Sequence, residues 1–254
     1  MEPGHVTYIP AVHLGGKEPE FATAWWNDQV MIQRAKNGVV EPVVIAKGSL
    51  PALVYEHQSL RIKIYIPRKT GGELEFGYAQ VKEDQIYPVI SLLLGQPGDR
   101  PMPLDHPDNS MEWLMDTTLM YHPSILCRRF DDNINDCVWF RSSVRVLPFL
   151  IRRRPHPEYF FADMDRGFVV IDRNFYRKRV YYYKWDDIVS IKMLPQQWKK
   201  RPGVVVKTKS GMDVTVPLLK ANAEPVADYL ERLKSQAPAT VEIVNDTENL
   251  FETK

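Results

Sequence analysis

The stretch GVVVKTKSGMDVTVPL, residues Gly203–Leu218, decides the fold of the C-terminal part of this chain. A run of valines leads into Lys209–Gly211, where the glycine supplies the positive φ angle that a short hairpin connection needs. Apolar and polar residues then alternate from Met212 to Val216, which is typical of a strand with one buried and one solvated face. The sequence therefore predicts an antiparallel hairpin with strands over Gly203–Thr208 and Met212–Val216.

The residues before this hairpin predict four more strands. The first three are short runs rich in aromatic and β-branched residues, separated by polar turns. They cover Glu158–Met164, Gly167–Asp172 and Arg179–Lys184. A turn at Asp186 and Asp187 follows, and it leads into a fourth strand in which Ile188 and Val189 are expected to be buried and Ile191 and Met193 continue the alternation.

The residues after the hairpin predict one closing helix. Pro217 ends the strand, and Pro225 is expected in the first turn of the helix, where proline is tolerated. Apolar residues then recur at helical spacing opposite charged residues. These apolar residues are Val226, Tyr229, Leu230 and Leu233. Residues 238–254 are expected to be a mobile acidic tail, with Val241–Val244 as a possible exception.

Three runs resemble bacterial pleckstrin-homology-like domains: VYYYKWDDIVSIK (180–192), GVVVKTKSGMDVTVPL (203–218) and EPVADYLERLK (224–234). For residues 157–236 the resemblance implies an antiparallel β-barrel capped by one helix, a fold that hosts lipid, peptide and protein ligands. The tyrosine-rich strand before an aromatic-Asp-Asp turn also resembles uncharacterised bacterial proteins encoded beside secreted toxins. Many of those proteins carry transmembrane segments, and this sequence has no comparable apolar run.

The N-terminal part is expected to be a β-rich domain over residues 1–154. Six Pro and Gly residues within the first 30 positions predict an irregular lead. Leu60–Ile66 and Leu74–Tyr78 alternate in polarity around a Gly-Gly turn and predict a second hairpin. Asp28–Lys36 is compatible with a short helix or a strand, and the same two alternatives stay open for Ile86–Leu94.

Prolines and acidic residues mark the boundaries between these parts. Gln96–Asn109 contains four prolines and predicts a long loop, Met111–Met120 is compatible with a short helix, and Val144–Ile151 predicts a buried strand. Asp131–Asp136 predicts a solvated acidic turn, because it lacks the central Gly and final Glu of a calcium loop. Pro155 begins the next domain, so the predicted fold is α+β and mostly β, with domains over 1–154 and 155–237 and the tail over 238–254.

The charge of the chain is segregated, although its formal net charge is only +1. Residues 141–220 carry 18 Lys and Arg against 7 Asp and Glu, so the rest of the chain is acidic. This asymmetry indicates either a surface for an acidic partner or the solvated faces of strands. No signal peptide or membrane span is expected, and two cysteines without a disulfide framework fit a reducing cytoplasm.

The sequence contains no constellation that indicates catalysis. The six histidines are scattered, and phosphate loops, nucleophile elbows and CxxC pairs are missing from the sequence. Cys127 lies beside Arg128 and Arg129, which could activate a thiol, but a buried structural cysteine is the commoner case. We therefore expect a protein that is not an enzyme and that has no metal or cofactor.

Two basic clusters are the candidate binding residues. The first lies in Pro195–Pro202, predicted as a loop, and combines an aromatic anchor with three cations: Trp198, Lys199, Lys200 and Arg201. The alternative for Trp198 is that it folds back over the barrel mouth. The second cluster lies at a turn between strands and is a candidate anion site: Arg173, Arg177, Lys178 and Arg179.

These features predict a protein that binds another macromolecule. The leading hypothesis is protein–protein interaction in the cytoplasm, with a bacterial toxin-immunity or adaptor role implied by the second resemblance. The alternative is a peripheral membrane module that reads anionic lipid head groups through the two basic clusters. Nucleic acid is not an expected partner, because the basic residues are not interleaved with a regular series of aromatics.

Overall fold

The structure is a computed structural model, and its described residues are mostly β-strand with two α-helices. The described residues are 5–9, 20–26, 28–36, 39–58, 61–68, 71–79, 83–95, 130, 132–141, 158–173, 178–198 and 201–246. The chain divides into two compact units. The first comprises Met1–Leu50, His57–Ile66 and Leu74–Asp132, and the second comprises Pro51–Glu56, Pro67–Glu73 and Asn133–Lys254.

The first unit contains a four-stranded antiparallel sheet. Its strands are β1 (His5–Ile9), β2 (Glu20–Trp26), β3 (Gln29–Lys36) and β4 (Val39–Ala46), hydrogen-bonded in chain order. The prediction of an irregular lead over residues 1–30 is therefore wrong for the described strands His5–Ile9 and Glu20–Trp26. The Pro and Gly residues on which that prediction rests lie outside the described residues. The segment Asp28–Lys36, whose sequence is compatible with a short helix or a strand, contains strand β3.

The next elements are β5 (Ala52–Gln58), β6 (Arg61–Pro67), β7 (Glu73–Ala79) and α1 (Glu83–Leu94). Strands β6 and β7 are neighbours, which confirms the second predicted hairpin, and Ile86–Leu94 is helical. Gly48 and Gly95 both have positive φ angles, and a Cβ on Gly48 would lie 3.2 Å from the Gly95 Cα. Glycine at both positions permits this close approach of the backbone.

The second unit contains a sheet with the strand order β5-β11-β10-β9-β8. Its later strands are β8 (Ile134–Arg141), β9 (Glu158–Met164), β10 (Gly167–Arg173) and β11 (Lys178–Lys184). These bounds confirm the three strands predicted after Pro157. One face of β8–β10 carries a chain of aromatic contacts that runs through Phe140, Phe161 and Phe168 to Trp185. Residues 134–136 belong to β8, so the predicted acidic turn is wrong at its C-terminal end.

A second sheet in the same unit has the order β14-β13-β12-β15. A 3-10 helix over Trp185–Asp187 precedes it, and its strands are β12 (Ile188–Trp198), β13 (Arg201–Thr208), β14 (Val214–Pro217) and β15 (Glu242–Asn245). Gly211 has a φ angle of 78°, as its hairpin position predicts. Val189 is exposed, so its predicted burial is wrong. Ile188 and Ile191 are both buried, and the register with β13 shifts between Ile188 and Ser190.

The second helix, α2 (Lys220–Gln236), contacts β8, β13 and β15. Val226, Tyr229, Leu230 and Leu233 are buried, as their spacing predicts. Pro225 is inside the helix and not in its first turn, because the helix begins at Lys220, five residues before Pro225. The acidic tail also contains structure, since β15 pairs in parallel with β12 over Glu242–Asn245.

The mostly β composition with helices is confirmed, whereas a closed barrel is not found among the described residues, which form open sheets. The predicted 155–237 segment lies within the second unit, which also includes residues before and after it. The loop over Gln96–Asn109, the helix over Met111–Met120 and the strand over Val144–Ile151 were predicted for residues outside the described ranges. No helix in the described part of the chain is long and apolar enough to cross a membrane.

Candidate binding site

The first candidate site lies at the end of the β12–β13 hairpin. Trp198 is the last residue of β12, Arg201 is the first of β13, and the two are register partners. Most of the predicted loop over Pro195–Pro202 is therefore strand. The register shifts between Leu194 and Trp198, so the ladder accommodates Pro195, which has no N–H, and resumes beyond it.

This pairing brings two of the four predicted residues of this site together. Register partners in an antiparallel pair lie about 5 Å apart on one face of the sheet. Trp198 and Arg201 therefore share a face at the hairpin end, and only Lys199 and Lys200, outside the described residues, separate them in the chain. A Trp with neighbouring cations offers an aromatic contact surface together with positive charge, which fits an acidic partner.

The second predicted cluster is divided between two faces of the sheet. Arg173 and Lys178 are register partners in β10 and β11, whereas Arg179 is paired with Asp172 one position further along. Because successive strand residues point to opposite faces, Arg179 lies on the face opposite to Arg173 and Lys178. Arg177 lies outside the described residues. The structure therefore brings together two of the four predicted cations and separates the third.

Arg179 has a structural partner that the sequence did not suggest. Its Nε donates to Oε2 of Glu56, a buried carboxylate on β5, and its Nη1 lies 3.4 Å from the Tyr181 hydroxyl. Burial by itself would lower the pKa of Arg179, but the contacts with Tyr181 and Glu56 outweigh it and raise the pKa. Arg179 thus acts as the counter-ion of a buried acid.

The Trp-Asp-Asp motif connects the two sheets. Trp185 donates its indole N–H to the Met164 carbonyl at 2.9 Å. Asp187 is buried, and its carboxylate accepts from the Ser210 N–H at 2.9 Å and from the Ser210 hydroxyl at 2.6 Å. The Lys209 N–H donates to the Asp187 carbonyl at 2.8 Å. This motif therefore holds the β13–β14 connection, which is a structural role.

Helix α2 is attached to β8 and β9 by polar contacts that the sequence did not reveal. Arg232 donates to Asp136 at 2.6 Å, and this hydrogen bond holds the pKa of Asp136 below its ordinary value. The Tyr229 hydroxyl lies 3.1 Å from Oδ1 of Asp163, which is fully buried, and burial raises the pKa of Asp163. Oδ2 of Asp163 has no hydrogen-bond partner among the described residues.

Cys137 lies next to this cluster on β8 and is not in a disulfide. Burial, followed by the charges of Asp136 and Asp163, raises the pKa of its thiol. A raised pKa disfavours the thiolate, which is the nucleophilic form. Among the described residues, no group of three or more His, Cys, Asp or Glu side chains is arranged to hold a metal ion. Cys127 lies outside those residues.

Trp139 in β8 is 60% exposed, and it is not among the residues predicted to bind a partner. Alternate residues Asn135, Cys137 and Trp139 are exposed, whereas Phe140 is buried. The signal was present in the sequence, because period-two alternation assigns this Trp to the polar face of a strand. The predicted turn over Asp131–Asp136 left this alternation unassigned.

No protein-family model matches the chain, and no curated protein matches it.

Proposed function

We propose that this chain is a non-enzymatic binding protein that acts through protein–protein interaction at the end of the β12–β13 hairpin. The observation that carries the proposal is the register pair of Trp198 and Arg201, which closes a hairpin whose two connecting residues are both lysines. Aromatic and arginine side chains are the residue types enriched at interface hot spots. Nearby lysines favour encounter with an acidic partner.

The order of elements in the second unit supports a pleckstrin-homology-like module. Strands β9 to β11 are antiparallel neighbours in chain order, β12 to β14 form a second antiparallel series, and α2 follows. Strands in this order, with one C-terminal helix, agree with the resemblance of residues 157–236. Such modules bind ligands of several classes, so the fold supports binding without specifying the partner.

The polar contacts of this unit also support a binding role over catalysis. Asp187 holds Ser210, Arg179 neutralises Glu56, and Asp136 accepts from Arg232. Each of these charged groups is engaged in holding elements of the fold together. The most specific version of the proposal is a toxin-immunity or adaptor protein of the bacterial cytoplasm, which rests on the second sequence resemblance.

The lipid alternative receives less support. A head-group pocket built from the second cluster needs its cations on one side of the sheet, yet Arg179 is on the face opposite to Arg173 and Lys178. Arg179 is also paired with the buried Glu56. We therefore favour a protein partner and treat binding to anionic vesicles as the competing outcome of the tests.

The proposal is tested by affinity capture from the source cells with three tagged forms of the full chain. Wild type is compared with Trp198→Ala and with a control, Val189→Ala, which changes an exposed apolar residue of β12. We expect a stoichiometric protein with wild type and the control that is strongly reduced with Trp198→Ala. Equal recovery with all three forms, or no stoichiometric partner at several salt concentrations, would contradict the proposal.

A further inference from the structure

Two aspartates lie next to each other on the sheet that contacts helix α2. Asp136 in β8 and Asp163 in β9 are register partners, so both lie on the same face of the sheet. Asp163 is fully buried and Asp136 is half-buried, so water screens a repulsion between the two carboxylates only poorly. The folded state therefore disfavours a negative charge on both acids at once.

Helix α2 supplies these two acids with different partners. Tyr229 and Arg232 are three residues apart in α2 and share one face of the helix. Arg232 donates to Oδ2 of Asp136 at 2.6 Å, which gives this carboxylate a counter-ion. The Tyr229 hydroxyl, a neutral donor, lies 3.1 Å from Oδ1 of Asp163. Asp136 is therefore held in its charged form, whereas Asp163 receives one neutral hydrogen bond.

The remaining surroundings of Asp163 favour its neutral form. Its register partner in β10 is Phe168, which does not titrate, and Cys137 in β8 is a thiol whose pKa is raised by burial. Within the described part of the chain, no group hydrogen-bonds to Oδ2 of Asp163. Burial raises the pKa of Asp163 and the charge of Asp136 adds to this effect, whereas the hydrogen bond from Tyr229 opposes it.

We propose that the protonation of Asp163 is a switch that controls how tightly helix α2 is held on β8 and β9. The protonated acid is neutral and tolerates burial beneath the helix. Loss of its proton places a buried charge beside Asp136, with one oxygen that lacks a donor. Local opening of α2 relieves this cost, because water then reaches the carboxylate. The helix is held tightly at acidic pH and more loosely as Asp163 ionises.

The contact between Asp136 and Arg232 has the opposite pH dependence. The hydrogen bond from Arg232 lowers the pKa of Asp136, so this contact stabilises the closed helix above the ordinary aspartate pKa of about 4 and is lost as the pH falls. Arg232 is also largely exposed, so the contribution of the pair is small. A weakening of the helix contact with rising pH is therefore specific to Asp163.

Opening of α2 affects more than the two acids. Leu230 and Leu233 are buried, so movement of the helix exposes apolar surface. Asn245 of β15 donates to the Ala227 carbonyl at 3.2 Å and to Glu231 at 2.9 Å, both in α2. A loosened helix therefore also weakens the attachment of β15 at the edge of its sheet.

Amide hydrogen exchange of the full chain, measured by mass spectrometry from pH 4 to pH 8, tests this switch. Protection is normalised to the intrinsic exchange rate at each pH, so that it reports the opening equilibrium. We expect the protection of α2 in wild type to fall as pH rises from about 4 through the folded pKa of Asp163, and then to level off. The fall should not exceed about tenfold per pH unit, because one proton is released.

Low concentrations of urea distinguish local opening from global unfolding. Global unfolding exposes much more surface than local opening and therefore responds more strongly to urea. We expect the amides of α2 to be less protected than those of the buried strand β13, and to respond less to urea. Equal protection and equal urea dependence of α2 and β13 would show that Asp163 affects global stability alone, and would overturn the proposed switch.

Three variants assign the pH dependence to Asp163. Asp163→Asn cannot ionise, so the protection of α2 should be independent of pH. Asp228→Asn is the matched control, because it changes an exposed acid of α2, and it should behave as wild type does. Tyr229→Phe removes the hydrogen bond that lowers the pKa of Asp163, so the fall should move to higher pH. This nearly isosteric change keeps the test valid if Asp163→Asn folds poorly.

Three further results would overturn the inference. The first is protection of α2 in wild type that does not change with pH. The second is the same pH dependence in Asp163→Asn as in wild type. The third is protection that rises with pH, which would assign control of the helix to the contact between Asp136 and Arg232.

Discussion

Removal of the Asp187 carboxylate should destabilise the second unit more than removal of any neighbouring charge. Asp187 is buried and accepts two hydrogen bonds from Ser210. A hydrogen bond to a charged group contributes about 1.5–3 kcal/mol. Ser210 is half-buried, so water replaces part of this loss in the variant. We therefore expect Asp187→Ala to lower the free energy of unfolding by about 2–4 kcal/mol.

Urea denaturation followed by near-ultraviolet circular dichroism measures this change. Asp186→Ala is the matched control, because Asp186 is an exposed carboxylate one residue away, and it should change stability by less than about 0.5 kcal/mol. Asp187→Asn keeps the side-chain shape and one acceptor oxygen but removes the charge, so it should destabilise less than Asp187→Ala. Equal stability of Asp187→Ala and Asp186→Ala would refute the role assigned to this motif.

Three further outcomes follow from contacts within single units. Burial raises the pKa of Asp163, so the folded state holds this proton more tightly than the unfolded state; wild type should lose stability as pH rises above about 4, and thermal melts of Asp163→Asn should lack this loss. Gly48→Ala should destabilise more than Gly71→Ala in chemical denaturation, because both glycines have positive φ angles but only a Cβ on Gly48 meets a neighbouring backbone; equal effects would contradict this packing argument. Arg179→Ala should lower the free energy of unfolding by about 1.5–3 kcal/mol because it removes a hydrogen bond between charged groups at the buried Glu56, and the loss should be smaller when Glu56→Gln is also present, as a double-mutant cycle would measure.

Local patterns in the sequence were sufficient to predict much of the second unit. The Gly211 connection and the alternation that follows it depend on neighbouring residues alone, and both agree with the structure. The buried face of α2 follows from the helical spacing of Val226, Tyr229, Leu230 and Leu233. These elements were predictable because period and turn chemistry act over a few residues.

Contacts between residues far apart in the sequence could not be predicted. Glu56 and Arg179 are 123 residues apart in sequence, and no local pattern indicates that they form an ion pair. Strand β15 is formed by parallel pairing with β12. Its short and partly polar sequence is by itself only a weak indication of a strand. The Pro and Gly residues of the lead predict irregular structure, whereas His5–Ile9 and Glu20–Trp26 are strands, so local breaker residues do not exclude strands between them.

The candidate binding residues were only partly predictable. Composition identified Trp198 and its cationic neighbours, but the pairing of Trp198 with Arg201 depends on a register shift that the sequence does not define. The second cluster is not a single group, because Arg179 is paired one ladder position away from the Arg173–Lys178 pair. This division follows from the β10–β11 register, which local sequence patterns do not define. Trp139 became visible only when the strand that carries it was defined.

The most direct test of the proposed function separates affinity from stability at Trp198. The captured partner is purified, and its affinity for wild type and for Trp198→Ala is measured by calorimetry alongside the melting temperature of each form. We predict an unchanged melting temperature and an affinity about 30-fold weaker, which corresponds to a hot-spot loss of about 2 kcal/mol. A loss of stability of about 3–5 kcal/mol, as in truncation of a core aromatic, with undiminished binding by the folded fraction, would contradict the account.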